Sequence, residues 1–405
     1  MGDDAPILQG LKVLDVASFI AGPAATTVMA DHGADVIKIE APGGDGYRYI
    51  TTGPGMPKAG VDYHWMVDNR TKRGLQLDLR QDAARQVMIK LVAEADVLVT
   101  NFVPRVREQL GLRYADLKPI NERLIYASMT AYGEDGPEAG RTGFDSTAYW
   151  ARTGLMDLVR PDPDGPPARS LPGMGDHPTA IALFGAIMLG LHRRALTGKG
   201  SKVSTSLIAN GLWSNAFYAQ AALAEGEIPV RPRRDNWPNA LANHYMSRDG
   251  RWFMLSLINE DREWDRFAEG VGRPELLSDE RFTDRAARHA NAAALIAILT
   301  EVFVEKNWEA WRALFDDLRI TFGLIGRVQD LATDQQVRPS GAVRPVDPAL
   351  FGVDAMIDSP IFVAETARRA PEPAPAVGQH SDEILAELGY DGAAIRDLRA
   401  SGAVG

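Results

Sequence analysis

"LKVLDVASFIAGPAATTVMADHGADVIKIE", residues 11–40, decides the fold of this chain. Leu11 to Ser18 is a short apolar run ending in small residues, the pattern of a buried strand. Gly22 to Gly33 carries Pro23 near its first turn and Gly33 beyond its last, the punctuation of a helix. Ala34 to Glu40 then returns to β-branched residues, a second strand. Strand, helix and strand in so short a span make a βαβ unit, whose strands pair in parallel.

The alternation continues downstream. Residues 74–79 read as a strand, Gln81 to about Ala95 as a helix, and 96–100 and 123–129 as further strands. The expected fold class is therefore α/β, a Rossmann-like large domain around a parallel sheet. No G-x-G-x-x-G follows the first strand, so the dinucleotide fingerprint is missing and an NAD enzyme is a distant reading. In open parallel sheets ligands collect outside the carboxyl ends of the strands. Here those ends carry residues 18–23, 40–46, 101–105 and 130–137, and these four loops are expected to build the site.

Residues 143–158, "GFDSTAYWARTGLMDL", are helical by pattern, and a Pro/Asp/Gly loop at 160–173 leads into a long apolar helix that ends at "TGKG". Residues 201–225 read as a strand followed by a helix. The Pro- and Arg-rich stretch 226–239 marks a linker into a smaller α+β domain, with a hairpin at Asp249-Gly250 and amphipathic helices. Beyond a Pro-rich connection, Ser381 with Asp382 and Glu383 signals a last helix. The expected domains are 1–225, 226–335 and a C-terminal segment, 336–405, returning to the first.

At 405 residues two domains are the natural expectation. The net charge of −10 argues against a nucleic-acid partner. The apolar run 180–191 is too short to span a bilayer and the N-terminus lacks signal-peptide character, so no membrane partner and a cytoplasmic location are expected. Cysteine is absent, which removes disulfides, thiolate zinc sites and every Cys nucleophile. The seven histidines show no metal spacing, and neither a G-x-S-x-G elbow nor a P-loop is present. No metal is expected.

What remains are carboxylates at loop–helix boundaries, Asp145 and Asp176. Each has a plain reading as a helix cap, and for Asp176 the following Pro178 fits that reading well. The same geometry also serves chemistry. A carboxylate at a helix start beside Gly173 and Gly175 is expected to stay ionised with room for a substrate, and carboxylates act as covalent nucleophiles toward reactive acyl groups. One basic cluster stands out, Arg70, Lys72 and Arg73, either a solvated turn or an anion site.

Together these pieces resemble the class III CoA-transferases, the family of formyl-CoA transferase, carnitine CoA-transferase and α-methylacyl-CoA racemase. The resemblance runs in order through residues 11–45, "NRTKRGLQLDL", "ADVLVTNF", "GFDSTAYWARTGL", "GMGDHPTAIALFGAIMLGLHRRALTGKGSKVSTSL" and "GQHSDEILAELGYDGAAI". It implies that Asp176 is the nucleophile, passing through an aspartyl anhydride and an aspartyl-CoA thioester, with coenzyme A or acyl-CoA as substrate and no tightly bound cofactor. It implies that Phe19, Ile20 and Ala21 line the thiol end of CoA. Asn101 and Phe102 would meet the nucleotide, and Arg70, Lys72 and Arg73 would face its phosphates. Thr130 to Tyr132 would complete the cleft, with Asp145 beside it. The partners implied are an acyl-CoA, a small carboxylic acid and a second copy of the chain in an interlocked homodimer, with a heteromer as the alternative.

Two departures narrow the expectation. Racemases of the family carry a histidine where this chain has Phe144, and phenylalanine takes no proton, so transferase is favoured over racemase or epimerase. The glycine-rich loop of oxalate-specific members is replaced by "RDNWPNALANHYMSRDG", so oxalate is not expected. Trp213, Phe217, Tyr218, Trp237 and Tyr245 are either core residues or the lining of a bulky acyl pocket. A non-catalytic acyl-CoA-binding subunit is the rival of a different class, and the intact Asp176 argues against it.

Overall fold

The computed structural model describes residues 5–405. Each segment expected to be extended contains a strand: β1 (Lys12–Val16), β2 (Asp35–Glu40), β3 (Arg73–Gln76), β4 (Val97–Thr100), β5 (Ile125–Thr130) and β6 (Ser201–Ser206). They form one sheet in the order β3-β2-β1-β4-β5-β6, and every pairing in it is parallel. All residues of β5 are buried, as a central parallel strand covered on both faces requires.

The twofold side-chain period of β1 splits the cores. Val13 points to a layer made by α1 (Ala21–Asp31) and the Asp176–Thr197 helix, with Ala25, Met29, Leu183 and Ile187. Leu14 points to the opposite layer, made by α3 (Asp82–Glu94), which follows α2 (Tyr63–Asn69) in the chain, and by the C-terminal helices, with Val87, Leu91, Ile384 and Leu385. The long helix has the length and apolar content of a membrane span, but Ala180, Leu183 and Ile187 lie in this core.

The strand order reverses between β1 and β4, the place where such sheets open a crevice. The loops leaving these two strands are tied together there. Ser18 N–H donates to Asn101 Oδ1 at 2.9 Å, and Asn101 Nδ2 donates back to Ser18 O at 2.6 Å.

The chain divides into two compact units. The first runs up to Met156 and includes Arg169–Glu227 and Gln336–Gly405; the second comprises Asp157–Ala168 and Ile228–Gln335. Asp157–Ala168, grouped by sequence with the first domain, is held in the second by Arg233, which donates to both oxygens of Asp162 at 3.0 and 2.9 Å. In the first unit the end of the chain returns to β3's edge: Leu77 bridges Val404, and Asp78 N–H donates to Ala403 O at 3.0 Å. The second unit packs helices, among them Glu260–Gly270, Ala292–Phe303 and Trp308–Asp317, with a three-stranded antiparallel sheet, β7 (His244–Met246), β8 (Trp252–Leu255) and β9 (Phe322–Leu324). Its core is aromatic, with Tyr245, Phe253, Phe303, Trp311 and Phe315. Strand β9 carried no sequence signal, because three residues are too few to show a period.

Residues 143–158 are not one α-helix. Asp145–Ala151 is a π-helical turn and only Leu155–Leu158 is α-helical. Such bulges are frequent at functional sites.

Candidate active site

Asp176 opens the long helix, but it does not cap it. Gly175 is the N-cap, and Asp176 is the first helical residue. Gly175 is required by crowding: a Cβ there would lie 2.7 Å from Tyr149 Cγ and 2.9 Å from Asp145 Cβ. Its N–H donates to Asp145 Oδ2 at 3.2 Å, and Asp145 Oδ1 accepts from Ser146 N–H at 2.7 Å. Asp145 therefore turns its oxygens onto backbone. Among the described residues no hydrogen bond reaches the Asp176 carboxylate, which is left with its lone pairs free. Burial, the neighbouring Asp145 and, more weakly, Asp68 push its pKa up to about 7, against the pull of His177. Desolvation and a like charge thus work against the helix start, which favours the charged form.

The loop after β1 faces the same turn. Ile20 Cδ1 would stand 3.6 Å from a Cβ on Gly173, and the Phe19 ring packs edge-on against Phe144 at 5.4 Å between centroids. Phe19 sits in the left-handed region at φ 63°, a conformation that costs a non-glycine residue about 1–3 kcal/mol. Its N–H is gripped by both oxygens of Asp45, at 3.1 and 3.2 Å. Asp45 in turn accepts from Lys38 at 3.0 Å. Lys38 also donates to Ala17 O, so the two charges brace the loop from behind.

His177, which the sequence reading passed over, joins the site through the fold. It reaches Asp68, near the end of α2 (Tyr63–Asn69), with Nε2 at 3.0 Å, and Gly173 O with Nδ1 at 3.1 Å. The second oxygen of Asp68 accepts from Tyr47 OH at 2.7 Å. Burial opposes the imidazolium, but the Asp68 hydrogen bond and charge win and raise the His177 pKa to about 9. A sequence signal existed: a cationic residue is unfavourable in the first turn of a helix, so a histidine there asks for an acid from elsewhere.

The basic cluster expected to face the CoA phosphates is drawn onto acids of the chain itself, and the side chains of Arg70 and Lys72 are sealed from solvent. Arg70 is buried and donates to both oxygens of Asp31, at 3.0 and 2.6 Å. Lys72 is buried on Asp15 at 2.8 Å, with Pro23 O, Asp68 O and Asn69 Oδ1 completing its shell. Burial pushes its pKa down to about 8 although Asp15 opposes this. Arg73 opens β3, so it lies at the other end of the sheet from the carboxyl-end loops. There it pairs with Asp35, Glu383 and Glu387 and lines a cavity of about 310 Å³ with Lys12 and Glu94. Three adjacent cations in sequence face three different sets of acids in space.

The remaining expected residues are placed as follows. Phe19, Ile20 and Ala21 stand at the start of α1. Asn101 locks Ser18, and Phe102 packs partly buried against the sheet's core. Thr130 is buried and its hydroxyl accepts from Gly133 N–H at 3.0 Å; Tyr132 lies under the Arg141 guanidinium. Of the aromatic residues, Tyr245 is core and Trp237 packs against that core. Trp213 and Phe217 are 82% and 84% exposed, so they are neither core nor the wall of a pocket. Among the described residues no cluster of three or more His, Asp or Glu side chains is arranged to hold a metal ion.

A parallel sheet with a reversed strand order carries an unbonded carboxylate at the head of a helix beside its crevice, an α/β arrangement in which ligands ordinarily collect at the strand ends. The family model described as CoA-transferase family III matches residues 8–381, and the chain belongs to that family. It is an enzyme of the CoA-transferase class. It is 32% identical to (R)-2-hydroxy-4-methylpentanoate CoA-transferase of Clostridioides difficile, over 98% of each chain. It is 30% identical to succinyl-CoA:glutarate CoA-transferase of Mus musculus, over 99% of this chain and 91% of that one. Among solved structures, a CAIB/BAIF family protein from Brucella suis superposes with a TM-score of 0.83 at 33% identity, covering 95% of this chain and all of the other.

Proposed function

We propose that the chain moves CoA from an acyl-CoA to a free carboxylic acid with Asp176 as the nucleophile. What carries this reading is the Asp176 carboxylate itself, unbonded at the helix head of a chain that belongs to the CoA-transferase family, and burial beside Asp145 shifts its pKa upward. A more basic carboxylate is a better nucleophile, and no side chain has to be displaced before it attacks.

An Asp176 oxygen adds to the donor thioester carbonyl, and the C–S bond breaks to give a mixed anhydride and CoA thiolate. Thiolate attacks the Asp176 acyl carbon and releases the donor's carboxylate, leaving an aspartyl-CoA thioester. The acceptor carboxylate attacks that thioester and frees thiolate again. Thiolate then takes the acceptor's acyl carbon and regenerates Asp176. No net proton or hydrolysis is involved, and each bond broken is matched by one of similar transfer potential. In this reading the thiol end of CoA lies along Phe19, Ile20 and Ala21.

The acyl group is proposed to have an apolar body. Phe19, partly exposed, and the exposed Phe144 offer ring surface near the Asp176 turn, whereas Ile20 is buried against Tyr47 and Trp65. Arg70, Lys72 and Lys38 are buried on internal carboxylates, so a second substrate carboxylate meets no free cation from them. We also infer that a second copy covers the outer faces of the helices spanning Asp176–Thr197, Leu207–Ser214 and Ala216–Leu223. Leu189, Leu196, Trp213, Phe217 and Leu223, on these helices, are 72–84% exposed, more large apolar surface than a monomer ordinarily leaves wet.

The test is mass spectrometry after incubation with branched, aromatic and dicarboxylic acyl-CoAs, quenched with hydroxylamine. A hydroxamate confined to the peptide holding Asp176, strongest with the apolar thioesters, supports the reading. An unmodified peptide with undiminished turnover in Asp176→Ala overturns it.

A further inference from the structure

His177 is half-exposed beside Asp176, yet neither of its ring nitrogens is free for substrate. Nε2 meets an Asp68 oxygen at 3.0 Å and Nδ1 meets the Gly173 carbonyl at 3.1 Å. A carboxylate and a carbonyl only accept, so both nitrogens must donate, and the ring that satisfies both is the imidazolium. The Gly173 carbonyl also takes the His177 backbone N–H at 3.1 Å. One residue thus closes the turn 173–176 from both its main chain and its side chain.

The hold extends across the crevice. Asp68 accepts from Tyr47 OH at 2.7 Å, and Tyr47 N–H donates to Asp45 Oδ1 at 3.0 Å. Asp45 is the acid that grips the Phe19 N–H. The Phe19 loop and the Asp176 turn are therefore ends of one chain of hydrogen bonds, Phe19–Asp45–Tyr47–Asp68–His177–Gly173. Besides the Tyr47 hydroxyl, which burial and Asp68 keep neutral, three ionisable neighbours act electrostatically on Asp176. Asp145 comes from the π-helical turn, Asp68 from α2 and His177 from its own helix. Two are acids, and His177 is the cation among them.

We propose that His177, clamped as an imidazolium between Asp68 and the Gly173 carbonyl, is a positioning residue that fixes the turn carrying Asp176 and keeps that carboxylate ionised for attack. The proposal rests on the reading of Asp176 as nucleophile. A cation within a few ångströms typically lowers a carboxylate pKa by 1–3 units. Removing the charge but not the bulk, in His177→Gln, leaves Asp176 facing two acids alone.

The experiment is the pH dependence of kcat in the wild type and in His177→Gln, with melting temperature and CoA affinity measured on both. The expected result is an acid limb moved up by about one pH unit, so that the variant loses about tenfold below the limb and recovers at pH 9. A limb that stays in place, or a loss equal at every pH, assigns His177 to packing and overturns the proposal. Independently, 15N spectra of the imidazole at pH 7.5 are expected to show both nitrogens of the His177 ring protonated; a neutral tautomer overturns it even if the variant fails to fold. Hydroxylamine trapping on the wild type separates the two readings. A labelled Asp176 with an unmoved limb rejects the role of His177 alone, whereas an unlabelled Asp176 rejects both.

Discussion

Asp145 Oδ2 accepts the N–H of Gly175 at 3.2 Å, which sets one carboxylate directly behind the residue that leads into another. The bond fixes the turn, and the charge that makes it also raises the pKa of Asp176. Asn in place of Asp145 keeps an oxygen for the Gly175 amide but removes the like charge. The acid limb of kcat/KM, expected near pH 7 in the wild type, should move down by about half to one unit in Asp145→Asn. Rate profiles between pH 5 and 9 check this, and an upward shift would contradict it.

Gly175→Ala should abolish activity while leaving the chain folded. The added methyl meets the buried Tyr149 ring and Asp145 Cβ, neither of which is the end of a flexible chain. Overpacking of this kind costs about 1–3 kcal/mol, less than a domain's total stability. Thermal melting and the hydroxylamine trap, run together, separate a displaced nucleophile from an unfolded one.

Asp15→Ala should be among the most destabilising single changes in the first unit. It leaves Lys72 and Lys38 buried without their shared acid, a loss of about 3–5 kcal/mol. Burial opposes the Asp15 charge, but the two lysines hold its pKa below the ordinary value. The stabilisation is thus present above the unfolded pKa and is lost as pH falls through the depressed folded one. Urea titrations at pH 7 and at a pH below the ordinary aspartate value of 3.8 measure both statements, and a difference under about 1 kcal/mol at pH 7 would reject the first.

Trp213→Glu with Phe217→Glu should yield a monomer if a second copy covers that face. Both rings are more than four-fifths exposed, so the substitutions disturb no internal packing. Light scattering after size exclusion reads the mass. A wild type that is already monomeric removes the proposal.

How much of this was legible in the sequence divides along physical lines. The inner strands of the main sheet were readable because burial on both faces demands apolar runs, and Ile125–Thr130 can be recognised without any partner, whereas the edge strand Ser201–Ser206 is polar and half-exposed. Asp176 was readable because glycine and proline punctuate a helix start locally. Arg70 and Lys72 were not, since a basic residue looks the same whether it meets solvent, phosphate or an acid such as Asp31 or Asp15 far along the chain. His177 was hidden for the same reason: Asp68 is brought to it only by the fold. The placement of Asp157–Ala168 in the second unit depended on Arg233, a pairing no local pattern announces.

The ion pairs behind Phe19 also decide how the protein answers to ionic strength. Counter-ions screen charges they can approach, and molar salt shortens the Debye length to about 3 Å. Lys12–Glu94, with both side chains more than half exposed, will fade under such conditions. Lys72–Asp15 and Lys38–Asp45, sealed from solvent, will not. High-salt buffers will therefore loosen the protein's surface while the brace that sets the crevice stays intact.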